Sequence, residues 1–372
     1  MGDNLFKMRV ALFSDTFYET NGVSNTYKKF FEWAKLNGKP VDFYLYDDSI
    51  SSPFEIENHG TVNIFKFLPH RYIKYYENLK FELFSNPFIK NQFAKYNYSV
   101  AHIATPGSLG IIGRKLSQLK KIKMVGVYHT KFEEYISLKF PFMFRSLIKD
   151  FIIYLTKIFY KNFSIVLAPT ENLAKWMERN NICKSGVFSR GVDCNLFKPI
   201  LKKFKKNFIY VGRISEEKNL DLIKKAYYSS DKSMSLVFTG DGPYREVFEK
   251  NFPHAKFNGY KFGSELISEY QKGDLFIFPS LTDTFGNVVQ EAMSCGVPCL
   301  VLDKNGPGEI ISHGEDGWIA KNEFDFIRLF NNLTKSEEII RKAGILAREK
   351  MKKRSWDKIF NDLWCLYEDQ IL

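Results

Sequence analysis

Short apolar runs of strand length alternate along this chain with longer segments of helical period. Arg9–Phe13 opens the series, a polar turn with Asn21-Gly22 follows, and Ser24–Asn37 has the helical period. Further strands are predicted at Asp42–Tyr46, Thr61–Phe67, Ser99–Ile103, Lys123–Tyr128 and Ile165–Ala168. Strand, loop and helix repeated in this order build a doubly wound parallel sheet. A second series begins after the basic run Lys202-Lys203-Phe204-Lys205-Lys206, with strands at Phe208–Val211, Ser235–Thr239, Leu275–Phe278 and Pro298–Val301. Two α/β units of similar size, joined near residue 200, predict two domains with a cleft between them. Ligands of open α/β sheets bind beyond the carboxyl ends of the strands, so chemistry is expected in the loops that follow them. The last segment, Trp356–Leu372, reads as an amphipathic helix that packs back on the first domain.

The length of 372 residues suits two or three domains, and 45% apolar with 26% charged residues is the balance of a folded chain rather than a disordered one. There are 36 Phe, 20 Tyr and 5 Trp, and Lys+Arg outnumber Asp+Glu by 54 to 42, a formal net charge of +12. A basic, aromatic chain suits nucleic acid, an anionic membrane surface or a phosphorylated substrate, and charge alone does not rank them. A genome rich in A and T would also enrich Phe, Lys, Ile, Asn and Tyr without any functional demand. The five cysteines (Cys183, Cys194, Cys295, Cys299, Cys365) form neither an even framework nor paired zinc-ligand spacings, so buried thiols in a reducing compartment are expected. No secretory signal, myristoylation pattern or membrane-spanning run is visible. The expected location is therefore the cytosol or a membrane surface.

Three loops carry candidate chemistry. Asn21-Gly22-Val23 precedes a helix, where a glycine lets backbone N–H groups approach an anion; a turn glycine explains it equally well. Phe208–Val211 leads into Gly212-Arg213-Ile214-Ser215-Glu216-Glu217-Lys218-Asn219, which brings two cations to one strand end, a pair suited to a diphosphate or to a solvated loop. The most informative segment runs from Pro279 to Met293: Gly286-Asn287 open a helix, Asp283 precedes it, and Glu291 lies about a turn inside it. Carboxylates accept paired hydrogen bonds from vicinal hydroxyls, so this pair suits a sugar and a ribose.

The Asp283/Glu291 element, the Gly212-Arg213…Glu217-Lys218-Asn219 loop, Thr239-Gly240-Asp241-Gly242-Pro243 and Arg190-Gly191-Val192-Asp193 together resemble the group 1 family of retaining nucleotide-sugar glycosyltransferases. Ala104-Thr105-Pro106-Gly107-Ser108-Leu109-Gly110 and Tyr128-His129-Thr130 are similar to the branch with sulfoquinovosyl- and glucosyl-diacylglycerol synthases and some mannosyltransferases. The resemblance spans residues 8–320 and implies an α/β chain with two Rossmann-like domains facing a central cleft, the GT-B fold. Residues 1–200 would be the acceptor-binding, membrane-facing domain, 201–355 the nucleotide-sugar-binding domain, and 356–372 the helix that returns to the first.

Carried over residue by residue, the resemblance makes His129, Asp283, Arg213 and Lys218 the catalytic set. Arg213 and Lys218 would neutralise the donor diphosphate, and Gly22 would bring its backbone to the same group. Glu291 would hold the ribose hydroxyls; Asp283 and the amides of Phe285, Gly286 and Asn287 would hold the transferred sugar, with Gly240 and Val288 completing the donor set. His129 would stand beside the sugar at the reacting centre. Fixed cations and helix amides stabilise the leaving diphosphate, so neither a metal ion nor a cofactor is expected. Retention by front-face attack and retention through a covalent sugar–enzyme intermediate both stay open. Two departures from the family pattern stand out: Lys131 where an acidic residue is frequent, and Asp283 where many relatives carry Glu.

The acceptor is addressed by two basic-aromatic stretches. In Phe142–Phe163, at about 100° per residue, Phe144, Leu147, Ile148, Phe151, Ile152, Leu155, Ile158 and Phe159 share one face. Arg145, Lys149, Lys157 and Lys161 fall on the other, the pattern of a helix in a membrane interface and equally of a helix packed on a sheet. Phe67–Phe81 adds His70, Arg71, Lys74 and Lys80 among Tyr72, Tyr75 and Tyr76. The expected activity is transfer of a hexose from UDP-glucose or UDP-galactose to a membrane lipid, foremost diacylglycerol, at the cytoplasmic face of an anionic membrane. The alternative is a glycosyltransferase, mannosyl included, acting on a saccharide or carrier-linked acceptor in envelope polysaccharide synthesis. Nucleic acid ranks last, because it leaves the Asp283/Glu291 element unexplained.

Overall fold

Apolar runs buried on both faces assemble two largely parallel sheets in a computed structural model, which describes residues 8–19, 21–69, 72–76, 79–82, 87–129, 131–137, 140–303 and 306–371. The chain divides into one unit of Met1–Ser189 with Asp357–Leu372 and a second of Arg190–Trp356, so residues 190–200 go with the second unit.

The first unit runs β1 (Val10–Ser14), α1 (Gly22–Leu36), β2 (Val41–Tyr46), β3 (Phe54–His59), β4 (Val62–Phe67), β5 (Tyr72–Tyr76), β6 (Leu79–Glu82), α2 (Pro87–Lys95), β7 (Val100–Ile103) and α3 (Ser108–Leu119). It continues through β8 (Lys123–Val127), α4 (Phe132–Ser137), α5 (Arg145–Tyr160), β9 (Ile165–Ala168), α6 (Glu171–Arg179) and β10 (Ser185–Val187). The main sheet has the order β10-β9-β8-β7-β1-β2-β4-β3, parallel except for the antiparallel β3–β4 pair. Strand order reverses between β1 and β7, so the loops after these two strands border the crevice where ligands of such sheets sit. Every residue of β1 and β2 is buried, as a central parallel strand requires. In the second basic-aromatic stretch, β5 and β6 pair antiparallel.

The second unit runs β11 (Asn207–Val211), α7 (Leu220–Tyr228), β12 (Ser235–Thr239), α8 (Arg245–Asn251), β13 (Lys256–Phe257), α9 (Gly263–Lys272), β14 (Leu275–Phe278), α10 (Asn287–Ser294), β15 (Cys299–Leu302), α11 (Gly306–Ile310), β16 (Gly317–Ala320), α12 (Glu323–Leu333) and α13 (Glu337–Lys352). Its sheet is β13-β12-β11-β14-β15-β16, with the reversal between β11 and β14. The loops after those two strands are the ones that hold Lys218 and Asp283.

The final helix, α14 (Trp356–Asp369), buries Phe360, Leu363, Trp364 and Tyr367, the i, i+3, i+4, i+7 stripe of a helix with one covered face. Phe360 packs against Phe30 (ring centroids 5.2 Å) and Trp33 (5.8 Å) of α1, and Trp364 meets Trp33 at 6.3 Å. Each such side chain contributes about 1.5–3 kcal/mol by leaving water, enough to fix a single helix on its unit. No described helix is long and apolar enough to cross a membrane.

Candidate active site

In the second unit the fold brings Lys218 and Asp283 together from positions 65 residues apart: Lys218 Nζ lies 2.6 Å from Asp283 Oδ2. The Ser280 hydroxyl donates to the same Oδ2. Leu281 N–H donates to the Glu217 carbonyl at 3.2 Å, tying the two loops through the backbone as well. Lys218 also stands 5.8 Å above the Phe278 ring. The pair is partly covered, with side-chain exposures of 16% and 24%, so its charges are desolvated enough to matter and open enough to meet a ligand. Arg213 is exposed, and its carbonyl accepts from Tyr210 Oη at 2.7 Å, which holds the loop against β11.

Glu291 is half-buried in α10, where Tyr270 Oη donates to its Oε2 at 2.7 Å. Tyr270 is fully buried in the core, so one carboxylate oxygen is fixed by a rigid donor. Sequence reading misses Tyr270, because a tyrosine in an apolar helix face carries no signature of what its hydroxyl reaches. Gly286 precedes α10 with φ +90°, a left-handed conformation that a side chain disfavours, and no side chain caps the helix amides there. Phe285 is buried, while Asn287 and Val288 are half-buried in the first turn. Gly240 follows β12 with φ +141°, and a Cβ there would sit 1.9 Å from the Gly212 carbonyl oxygen, so only glycine lets the backbone beyond the two strands approach.

In the first unit, Gly22 is the exposed first residue of α1, next to the capping Asn21, whose Oδ1 accepts from Ser24 N–H at 2.8 Å. The first turn of α3 is occupied from within: Asp15 accepts from Leu109 N–H at 2.8 Å and from Thr105 Oγ1 at 2.6 Å. Burial pushes the Asp15 pKa up to about 6, partly offset by these donors. His129 follows β8, is 9% exposed, and has Tyr27 Oη 3.4 Å from its Nε2. Lys131 lies 5.7 Å over the Trp176 ring, which stacks on Tyr128; the departure from the family's acidic residue is thereby met by a cation–π contact.

Of the surface residues, Arg71 lies outside the described residues and Lys74 lies in β5. Arg145, Lys149 and Lys157 are half-buried on α5 and Lys161 is exposed just after it. The apolar stripe of α5 faces outward: Phe144, Leu147, Phe151, Leu155 and Ile158 are exposed, with Leu147 at 68% and Phe151 at 57%. Ile148, Ile152 and Phe159, on the edge of the stripe nearer the protein, are half-buried. Of the two readings of this helix, the one with its apolar face packed on the sheet does not hold. All five cysteines are free; Cys295 and Cys299 are buried, but Cys365 is exposed, so the thiols are not uniformly interior.

Comparison with known proteins follows the same division. A family model described as "Glycosyl transferases group 1" matches residues 195–353, and one described as "Glycosyltransferase Family 4" matches residues 21–196. The sulfoquinovosyl transferase SQD2 of Arabidopsis thaliana is 26% identical over 94% of this chain and 71% of its own length. A GDP-mannose-dependent alpha-mannosyltransferase of Mycobacterium tuberculosis is 25% identical over 97% of this chain and 96% of its own length. An alpha-monoglucosyldiacylglycerol synthase of Streptococcus pneumoniae is 24% identical over 86% and 76%. Among solved structures, sucrose-phosphate synthase from Thermosynechococcus elongatus matches with a TM-score of 0.77 at 18% identity, covering 98% of this chain and 99% of that one. Anabaena Alr3699/HepE, in complex with UDP and glucose, matches at 0.73 and 14% identity, covering 97% and 100%. These structures share the GT-B fold with the chain.

Proposed function

The chain belongs to the group 1 glycosyltransferases, and we propose that it moves glucose or galactose from a UDP-sugar to a membrane lipid, foremost 1,2-diacylglycerol, giving an α-glycosyl glycolipid. The observation that carries the lipid acceptor is the outward apolar stripe of α5. Each large side chain of that stripe gains about 1.5–3 kcal/mol on leaving water, and each Lys or Arg near an anionic surface adds about 1 kcal/mol. Arg145, Lys149 and Lys157 lie on the other face of the same helix and Lys161 is exposed just after it, so the cations stand on the headgroup side while the stripe enters the acyl boundary. The protein then works as a peripheral enzyme on the cytoplasmic face. The name of the Streptococcus relative, which specifies a glucosyl-diacylglycerol product, supports this reading.

On this reading Arg213 and Lys218 meet the diphosphate, the uncapped amides of α10 with Asp283 hold the sugar, and Glu291, fixed by Tyr270, accepts from the ribose hydroxyls. The bond from the anomeric carbon to the UDP oxygen breaks, and its electron pair leaves with UDP. The acceptor oxygen attacks from the same face and forms the new glycosidic bond, while its proton passes to the departing phosphate. Cations and amides stabilise the charge on UDP, so this route needs no metal ion or cofactor. His129 is assigned to the transferred sugar, near its reacting carbon.

A second reading is mannosyl transfer from GDP-mannose to a saccharide or carrier-linked acceptor. It is favoured by the Mycobacterium relative and leaves the exposed stripe of α5 without a role. Sedimentation with vesicles of anionic phospholipid and diacylglycerol tests the lipid reading. Co-sedimentation that weakens with salt is expected; protein that stays in the supernatant at low salt contradicts it.

A further inference from the structure

Two tyrosines and two histidines of the first unit form a hydrogen-bonded line. Tyr27 of α1 places its Oη 2.8 Å from His102 Nε2 and 3.4 Å from His129 Nε2. On the far side of His102, Tyr367 of α14 places its Oη 2.7 Å from Nδ1. Tyr27, His102 and Tyr367 have no exposed surface. The rings meet edge to face, with centroids 5.4 Å apart for Tyr27–His102, 5.9 Å for Tyr27–His129 and 5.8 Å for His102–Tyr367.

The chemistry of His102 gives the line a direction. Burial pushes its pKa down to about 3, so the ring is neutral, with one N–H and one lone pair. Each ring nitrogen faces a tyrosine hydroxyl, so one tyrosine accepts from the ring and the other donates to it. With the hydrogen on Nε2, Tyr27 accepts it and can turn its own hydrogen toward His129 Nε2. With the hydrogen on Nδ1, Tyr367 accepts it, Tyr27 donates to His102, and Tyr27 presents a lone pair to an Nε2–H of His129. The tautomer of His102 therefore selects the form of His129 that the line holds.

We propose that Tyr27 and His102 are positioning residues for the His129 imidazole, and that Tyr367 carries this constraint from the C-terminal helix. The proposal rests on the assignment of His129 to the transferred sugar and supplies what orients it. A buried histidine between two tyrosines would by itself be a satisfied core group. The second contact of Tyr27, to His129, extends the line beyond that role, and long contacts of this kind tighten when a substrate is bound.

The test compares full-length wild type with Tyr27→Phe, Tyr367→Phe and His129→Ala, by steady-state kinetics with UDP-glucose and diacylglycerol vesicles and by long-range 1H–15N NMR of the histidine rings. Tyr27→Phe is expected to shift the His129 ring nitrogens and to lower kcat about 10-fold with donor KM changed less than about 2-fold, the scale of one hydrogen bond at a reacting group. Tyr367→Phe is expected to shift both histidines and to lower kcat about 3-fold, which keeps the question open to measurement should Tyr27→Phe fail to fold. Unchanged His129 signals, or an unchanged kcat beside an inactive His129→Ala protein, overturns the proposal. Wild-type turnover in His129→Ala overturns instead the assignment of His129 to the sugar, and shifted His129 signals in Tyr27→Phe then still support the line.

Discussion

Lys218 Nζ stands 2.6 Å from Asp283 Oδ2, joining the loop after β11 to the loop after β14 where the strand order of the second sheet reverses. Each charge holds the other in place before any donor arrives. On the proposed function, a diphosphate would meet a cation already oriented and a sugar a carboxylate already oriented, leaving little reorganisation for the reaction itself.

Lys218→Ala removes the cation and leaves Asp283 with the hydrogen bond from the Ser280 hydroxyl. Its kcat/KM for the nucleotide sugar should fall at least about 100-fold, the effect of deleting one electrostatic stabiliser of a leaving group. Lys218→Arg should recover part of that loss, because charge is kept while the point contact with Asp283 is not. Steady-state kinetics with both variants measures the ordering.

Glu291→Ala should abolish measurable donor binding by calorimetry, and it leaves the buried Tyr270 hydroxyl without this acceptor. That orphaned group costs about 1–3 kcal/mol of stability. Tyr270→Phe separates the two effects: the fold keeps its ring and the carboxylate loses only its anchor. Donor affinity in Tyr270→Phe should weaken about 5-fold, one hydrogen bond's worth. Full donor affinity in Glu291→Ala would refute the ribose assignment.

Leu147→Asp with Phe151→Asp places two charges on the exposed stripe of α5. Surface changes of this kind shift stability by about 0.5 kcal/mol or less each, so the melting temperature should hold. Vesicle binding should fall at least about 30-fold, because two apolar anchors are lost. Turnover with a water-soluble short-chain diacylglycerol should be kept.

Two groups of the first unit, the buried His102 and the half-buried Asp15, give stability opposite pH dependences. His102 has its pKa pushed by burial from 6.5 down to about 3, so its contribution is present above pH 6.5 and is lost as pH falls through about 3. Asp15 has its pKa pushed by burial from 3.8 up to about 6, so its contribution is present below pH 3.8 and is lost as pH rises through about 6. Relative to wild type, His102→Gln should lose its disadvantage as pH falls from 6.5 toward 4, and Asp15→Asn should gain as pH rises from 4 to 7. The limiting slope is about 1.4 kcal/mol per pH unit for each group. Urea midpoints across that range measure both differences, and parallel curves for all three proteins would contradict the assignment.

The central strands were legible in the sequence because parallel strands covered on both faces read as largely apolar runs, as in Val10–Phe13 of β1 and Phe43–Tyr46 of β2. β3 was not, because Phe54–His59 pairs antiparallel at the sheet edge and alternates between half-buried and exposed positions. β16 was missed for another reason: Gly317–Ala320 opens on glycine and ends on alanine, leaving only Trp318-Ile319 as large apolar side chains, whereas the equally short β14 and β15 read as unbroken apolar runs. The residue types at the donor site could be read from spacing within one loop. Their contacts could not, since Lys218 meets Asp283 only through the crossover order of the sheet, and His102 meets Tyr367 across 265 residues. Helical period told which side chains of α5 share a face; whether that face is covered depends on the neighbouring elements and is decided only by the fold.

On the proposed function the chain glycosylates a lipid from a UDP-sugar at a membrane surface. The most direct measurement is incubation of the full-length protein with diacylglycerol vesicles and, in parallel, radiolabelled UDP-glucose, UDP-galactose and GDP-mannose, followed by identification of the labelled lipid. An α-monohexosyl diacylglycerol formed from one of the two UDP-sugars is the expected product. Labelled product from GDP-mannose alone, or label found only on a water-soluble saccharide acceptor supplied beside the vesicles, would contradict the proposed function.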